Sequence, residues 1–120
     1  MNIRTLLVGF DNDMSDRLSD MLHQSEIEIK DQIMDIARGT EIIDRNKPNL
    51  LLIPAQMDRK LLMFCQQIYI LYPEVTMVMI SDTVENGIFN YAMEAGVRRV
   101  IAPLPSAEEL IGALKELCIS

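Results

Sequence analysis

The 120-residue sequence predicts an α/β domain in which five β-strands, each followed by a helix, form one parallel sheet. Three observations carry this expectation. Short continuous apolar runs alternate with stretches of helical periodicity along the whole chain. A hydrophobic fraction of 49% with 24% charged residues places the chain among folded globular domains, not disordered ones. No repeat, low-complexity tract or Gly/Ser linker interrupts it, and a chain of this length buries enough surface to need neither disulfides nor a structural metal.

Leu6-Leu7-Val8 is a continuous apolar run of buried-strand type. Met14, Leu18, Met21 and Leu22 follow at i, i+4, i+7 and i+8, one face of a helix whose polar side carries Asp13, Asp16 and Asp20. Ile27 and Ile29, with Ile33 beyond them, alternate as an edge-type strand. A weaker helix then turns Ile42 and Ile43 inward and ends before Pro48. Leu50-Leu51-Leu52-Ile53 is the most apolar run, hence a central strand, and it stops at Pro54, which has no N–H for a ladder. Residues 58–72 read as a helix, 75–80 as the fourth strand, 84–95 as a helix closed by Gly96, and 97–101 as the fifth strand. Ser106-Ala107-Glu108-Glu109 is a capping box opening a last helix that buries Leu110, Ile111, Leu114 and Leu117.

The connections are too short for anything but right-handed crossovers, so helices cover both faces of the sheet. For five such (βα)5 units the flavodoxin-like order 2-1-3-4-5 is the usual solution. Its functional crevice lies at the carboxyl ends of strands 1, 3 and 4.

Eleven Lys and Arg against 18 Asp and Glu give a formal charge of -7, which opposes nucleic-acid binding because that affinity needs clustered cations. Cys65 and Cys118 lie in apolar helical patterns with no metal-ligand or redox spacing and read as reduced core residues. No apolar run approaches the ~18 residues of a membrane span, and Arg4 and Asp11 interrupt the region where a signal peptide would be apolar. A cytoplasmic protein is expected, with no membrane insertion. His23, the single histidine, falls at the end of the first helix, away from the crevice, with no partner that would make it a base.

The crevice loops read Gly9-Phe10-Asp11-Asn12-Asp13, Pro54-Ala55-Gln56, Ser81-Asp82-Thr83 and Ala102-Pro103-Leu104-Pro105. None offers the run of glycines and hydroxyls that cradles phosphate, and no nucleophile–base pair is visible, so neither an enzyme nor a bound cofactor is expected.

Several short segments recur in order and at characteristic distances: Leu6-Leu7-Val8, Lys47 to Leu52, Leu71-Tyr72-Pro73-Glu74-Val75, Glu94-Ala95-Gly96 and Glu108-Glu109-Leu110. On these the chain resembles, from Ile3 to Leu117, the receiver domains of two-component response regulators, the CheY-like family. The resemblance implies an acidic pair after strand 1, a phospho-accepting Asp after strand 3, a Ser or Thr after strand 4, an aromatic switch residue on strand 5 and a Lys after it. Those positions fall here on Gly9 and Phe10, Pro54, Ser81, Val100 and Pro103, and only Ser81 fits. Mg²⁺ needs oxygen ligands and acyl phosphate formation needs a carboxylate, which Pro54 cannot supply. Such a chain is similar to pseudo-receiver modules fused to larger regulators, including the N-terminal domains of CpaE/TadZ pilus-assembly ATPases. An N-terminal module of a longer protein, with its output domain following, is the corresponding expectation.

The expected function is therefore protein–protein contact without phosphorylation. The stretch from Leu61 to Tyr72 is apolar nearly all round, more than one sheet face requires. In receiver register Leu62, Cys65, Ile68 and Leu71 face the core, leaving Leu61, Met63, Tyr69, Ile70 and Tyr72 exposed for a homodimer or a partner. A second candidate surface is the face of the fourth helix, fifth strand and fifth helix, with Arg98 and Arg99 near Glu94, Glu108 and Glu109. Two other functions stay open: a phospho-accepting receiver using a displaced carboxylate, Asp58 or Asp11, and a small-molecule binder in a crevice made apolar by Phe10, Pro54 and Pro103.

Overall fold

A computed structural model of the protein describes residues 2–84 and 86–119. Five strands, β1 (Ile3–Val8), β2 (Ile27–Ile33), β3 (Leu50–Pro54), β4 (Thr76–Ile80) and β5 (Arg99–Ile101), pair in parallel in the order β2-β1-β3-β4-β5. The five helices are α1 (Asn12–Leu22), α2 (Gly39–Asn46), α3 (Arg59–Leu71), α4 (Ile88–Ala95) and α5 (Ala107–Ile119), with a 3₁₀ turn at Ile36–Arg38 leading into α2. Among the described residues no helix is long and apolar enough to cross a membrane.

The central strands read as unbroken apolar runs because both their faces are covered. Leu6, Val8, Leu51, Ile53, Met77 and Met79 point to one side, where they meet Ile43, Phe64, Cys65, Ile68 and Ala92 of α2, α3 and α4. Leu7, Leu50, Leu52, Val78 and Ile80 point to the other, against Leu18, Leu22, Leu110 and Leu114 of α1 and α5. Each of the Val, Leu, Ile, Phe and Met side chains among them contributes roughly 1.5–3 kcal/mol on burial. β2, at the edge, alternates as expected until the pairing slips, passing from Thr5 opposite Ile29 to Leu6 opposite Asp31.

Local chemistry sets the helix starts. Asp11 caps α1 by accepting from the Met14 N–H at 2.8 Å, and Asp58 caps α3 by accepting from Leu61 N–H at 2.8 Å. Ser106 Oγ accepts from the Glu109 N–H at 3.2 Å, while the Glu109 carboxylate meets the Ser106 hydroxyl. The helix expected over residues 84–95 begins only at Ile88, because Gly87 takes a left-handed φ of +81° that no helix can pass through. Residue 85 lies outside the described residues. The fifth strand is shorter than 97–101, since only Arg99–Ile101 pair with β4, although the Arg98 N–H still reaches the Met77 carbonyl at 2.9 Å.

Candidate functional site

The carboxyl ends of β1, β3 and β4 open into a shallow crevice of about 390 Å³, bounded by Gly9, Phe10, Asp11, Pro54, Ser81 and Asp82 among others. Gly9 holds a φ of +74° and donates its N–H to the Ile33 carbonyl at 3.1 Å. A Cβ there would sit 3.3 Å from Leu61 Cδ2 and 3.8 Å from the Pro54 ring, so Gly9, Pro54 and the start of α3 meet as packing surfaces. Phe10 is 4% exposed and belongs to the core between the sheet, α1 and α5. The side chains at these three positions thus carry no ligand atom.

The polar groups around the crevice are engaged locally. Ser81 Oγ accepts from the Thr83 N–H at 3.2 Å, a turn bond of the kind short hydroxyl residues favour at strand ends. Asp82 holds Arg17 of α1 in a two-pronged ion pair at 2.6 and 2.9 Å. The Arg17 guanidinium, by its hydrogen bonds first and its charge second, keeps the Asp82 carboxyl below its ordinary range. Asp11 uses one oxygen to cap α1. Asp58 caps α3 and lines a separate cavity with Asn86, Ile88 and Tyr91. The two carboxylates weighed as displaced phosphate acceptors therefore sit at two helix starts and line different cavities. Among the described residues, no three His, Cys, Asp or Glu side chains are grouped so as to hold a metal ion. Val100 lies half-buried on β5; Ala102 and Pro103 follow the strand, and neither bears an amino group. His23 is exposed beyond the end of α1, away from the crevice.

The leading candidate contact surface is α3, where the expected phase needs correction. Leu61 is buried, not exposed, and Leu71 is 54% exposed, not buried. The inward stripe is Leu61, Phe64, Cys65 and Ile68, spaced i, i+3, i+4 and i+7, and Tyr72 at i+11 continues it. Tyr72 is accordingly half-buried, and its hydroxyl donates to Asp44 of α2 at 2.5 Å, which pushes the phenol up to about 12. Met63, Tyr69 and Ile70 are exposed as expected, at 57%, 62% and 74%. Met63 and Ile70, two turns apart, stand on one crest facing away from the sheet.

Beside that crest runs a groove of about 850 Å³, twice the size of the crevice and at the opposite end of the sheet. It separates α3 from the end of α4 and is lined by Tyr69, Ile70, Met77, Met93, Val97 and Arg98, among others. Gln66 spans it, donating from Nε2 to the Glu94 carbonyl at 3.0 Å. Sequence periodicity gave no sign of this groove, nor that Met93 is 79% exposed and Phe89 61% exposed on α4. Arg98 and Arg99, in the second candidate surface, are both exposed.

No family model matches the chain, and no curated protein sequence matches it. Solved structures do. The signal receiver domain of the response regulator NarL from Mycobacterium tuberculosis superposes with a TM-score of 0.82 at 15% identity, covering 99% of this chain and 98% of that one. A pilus assembly-related protein, so described, from Burkholderia pseudomallei gives 0.80 at 22% identity, with 98% and 90% covered. The CheY-like protein TadZ from Pseudomonas aeruginosa gives 0.75 at 19% identity, with 97% and 99% covered. The fold of this chain is the CheY-like receiver fold.

Proposed function

We propose that this chain is a receiver-fold module that works without accepting a phosphoryl group and acts by protein contact through α3, as a dimerisation or localisation module. The observation that carries the reading is where the apolar and the polar chemistry lie. At the crevice, Gly9, Phe10 and Pro54 are packing groups, Ser81 and Asp11 make local turn and cap bonds, and Asp82 is paired with Arg17 of α1. On α3, by contrast, Met63, Tyr69 and Ile70 are large apolar side chains left more than half exposed.

The process follows from the same reading. Likeness in fold to TadZ and to a pilus assembly-related protein favours a place in pilus assembly or signalling, and the role we propose there is that of one module of a longer regulator. The test is to incubate the protein with acetyl phosphate, or with beryllofluoride, in the presence of Mg²⁺. Unchanged intact mass and unmoved crevice amides in the NMR spectrum are expected. A phosphoryl adduct on any aspartate overturns the reading in favour of a displaced acceptor.

A further inference from the structure

We infer that the groove between α3 and α4 receives Ile70 from a second copy of this chain, so that two copies pair about a two-fold axis with their α3 crests crossed. The inference rests on α3 being a protein contact surface and names both the partner and its seat. Three observations support a second copy as the occupant.

The first is area. Tyr69, Ile70 and Met93, which line the groove, are 62%, 74% and 79% exposed, and Met63, two turns before Ile70 on the crest, is 57% exposed. With Gln66 and Gln67 between them they offer on the order of 600 Å², most of the ~800 Å² that each partner gives to a standard interface.

The second is charge. A chain of formal charge -7 repels its copies over most of its surface, and the α1 face with Asp13, Asp16 and Asp20 is the extreme case. From Leu61 to Pro73, however, there is no charged residue at all. Where the groove continues onto α4 and β5 it meets one charge of each sign, Glu94 and Arg98. The crest is thus a surface on which two copies can approach without setting like charges together.

The third is shape. Ile70, the most exposed residue of the crest, stands at the rim of the groove. Knob and hole are neighbours on one face, the arrangement an isologous contact needs, since a two-fold axis between them brings each copy's knob to the other's hole. Tyr69 forms the wall and is itself backed by Gly96, so the hole is preformed.

Sedimentation equilibrium and cysteine cross-linking test this together. Wild type is expected to dimerise at high micromolar concentration. Ile70→Glu is expected to weaken the association by roughly a hundredfold or more, because the symmetry removes two buried side chains at once. On a Cys118→Ser background, a mixture of Ile70→Cys and Met93→Cys chains is expected to form an inter-chain disulfide that neither chain forms alone. Should Ile70→Glu misfold, Met93→Lys makes the same test from the groove side. A dimer that Ile70→Glu breaks but that cross-links only Ile70→Cys to itself retains α3 as the contact and overturns the groove. A wild type that stays monomeric overturns the second copy and leaves α3 to a different partner. A dimer broken only by Arg99→Glu overturns the α3 reading itself.

Discussion

Tyr69 stands directly on the backbone of Gly96: a methyl group at Gly96 would lie 2.7 Å from both Cγ and Cδ1 of the ring and 2.9 Å from its Cβ. Gly96 also holds a left-handed φ of +79° as the cap of α4, whose last carbonyls its N–H approaches. Gly96→Ala is therefore penalised twice, by about 1–2 kcal/mol for the backbone and by about 1–3 kcal/mol for the collision. Adding Tyr69→Ala is expected to return the second part only. A double-mutant cycle by urea denaturation, at concentrations low enough to keep the chain monomeric, should show that coupling, and additive effects would mean the ring and the glycine do not touch.

Gly39 isolates the steric part. Its backbone is ordinary right-handed helix, with φ -60° and ψ -47°, yet a Cβ there would lie 2.4 Å from Cε1 and Cζ of Phe64. Gly39→Ala should cost about 1–3 kcal/mol although alanine is the better helix former, and Phe64→Leu in the same chain should recover much of it. Thermal or urea unfolding of the single and double variants measures both.

Asp11 gives a way to separate capping from chemistry. Asparagine caps a helix as well as aspartate does, so Asp11→Asn should leave stability within a few tenths of a kcal/mol, whereas Asp11→Ala should lose about 1 kcal/mol. Both variants should respond to acetyl phosphate and Mg²⁺ just as wild type does. An adduct present in wild type and lost in Asp11→Asn would assign the residue a chemical role instead.

The Tyr72 hydroxyl is pushed up to about 12, chiefly by its hydrogen bond to Asp44. A folded-state value above the unfolded value near 10 means the bond adds stability below that pH and loses it as pH rises toward 12. In an absorbance titration of phenolate, the highest-pH step should vanish in Tyr72→Phe and move to lower pH in Asp44→Asn.

Much of the fold is legible because β1, β3 and β4 are buried on both faces and cannot hide their apolar runs, and because the Ser106 capping box announces α5. What the sequence conceals is rotation and distance. An amphipathic helix declares its inner face, but α3 is apolar nearly all round, so its phase is set by contacts with other elements: Leu61 against the crevice floor, Phe64 over Gly39, Tyr72 on Asp44. That is why Leu61 and Leu71 exchange the places that the receiver register assigns them. The start of α4 depends on one glycine's conformation, and the Arg17 to Asp82 pair joins α1 to the loop after β4, which no local pattern reveals. At the crevice, strand ends locate Gly9, Phe10, Pro54 and Ser81, but their contacts emerge only in three dimensions.

The parallel ladder also imposes a schedule on the chain. Ile3 pairs with Ile27, Thr5 with Leu50, Leu50 with Thr76 and Val78 with Arg99, so every strand pair must wait for an intervening helix and none can form as a local hairpin. The exposed crest rides on α3, the crossover that closes β3 onto β4, and its orientation is fixed from both flanks by Gly39 of α2 and Gly96, the cap of α4. A chain still being synthesised, or folded only through β4, has not yet built the α4 side of the groove, with Met93 and Gly96. On the proposed pairing, a copy would offer its seat for Ile70 only once α4 has docked beside α3.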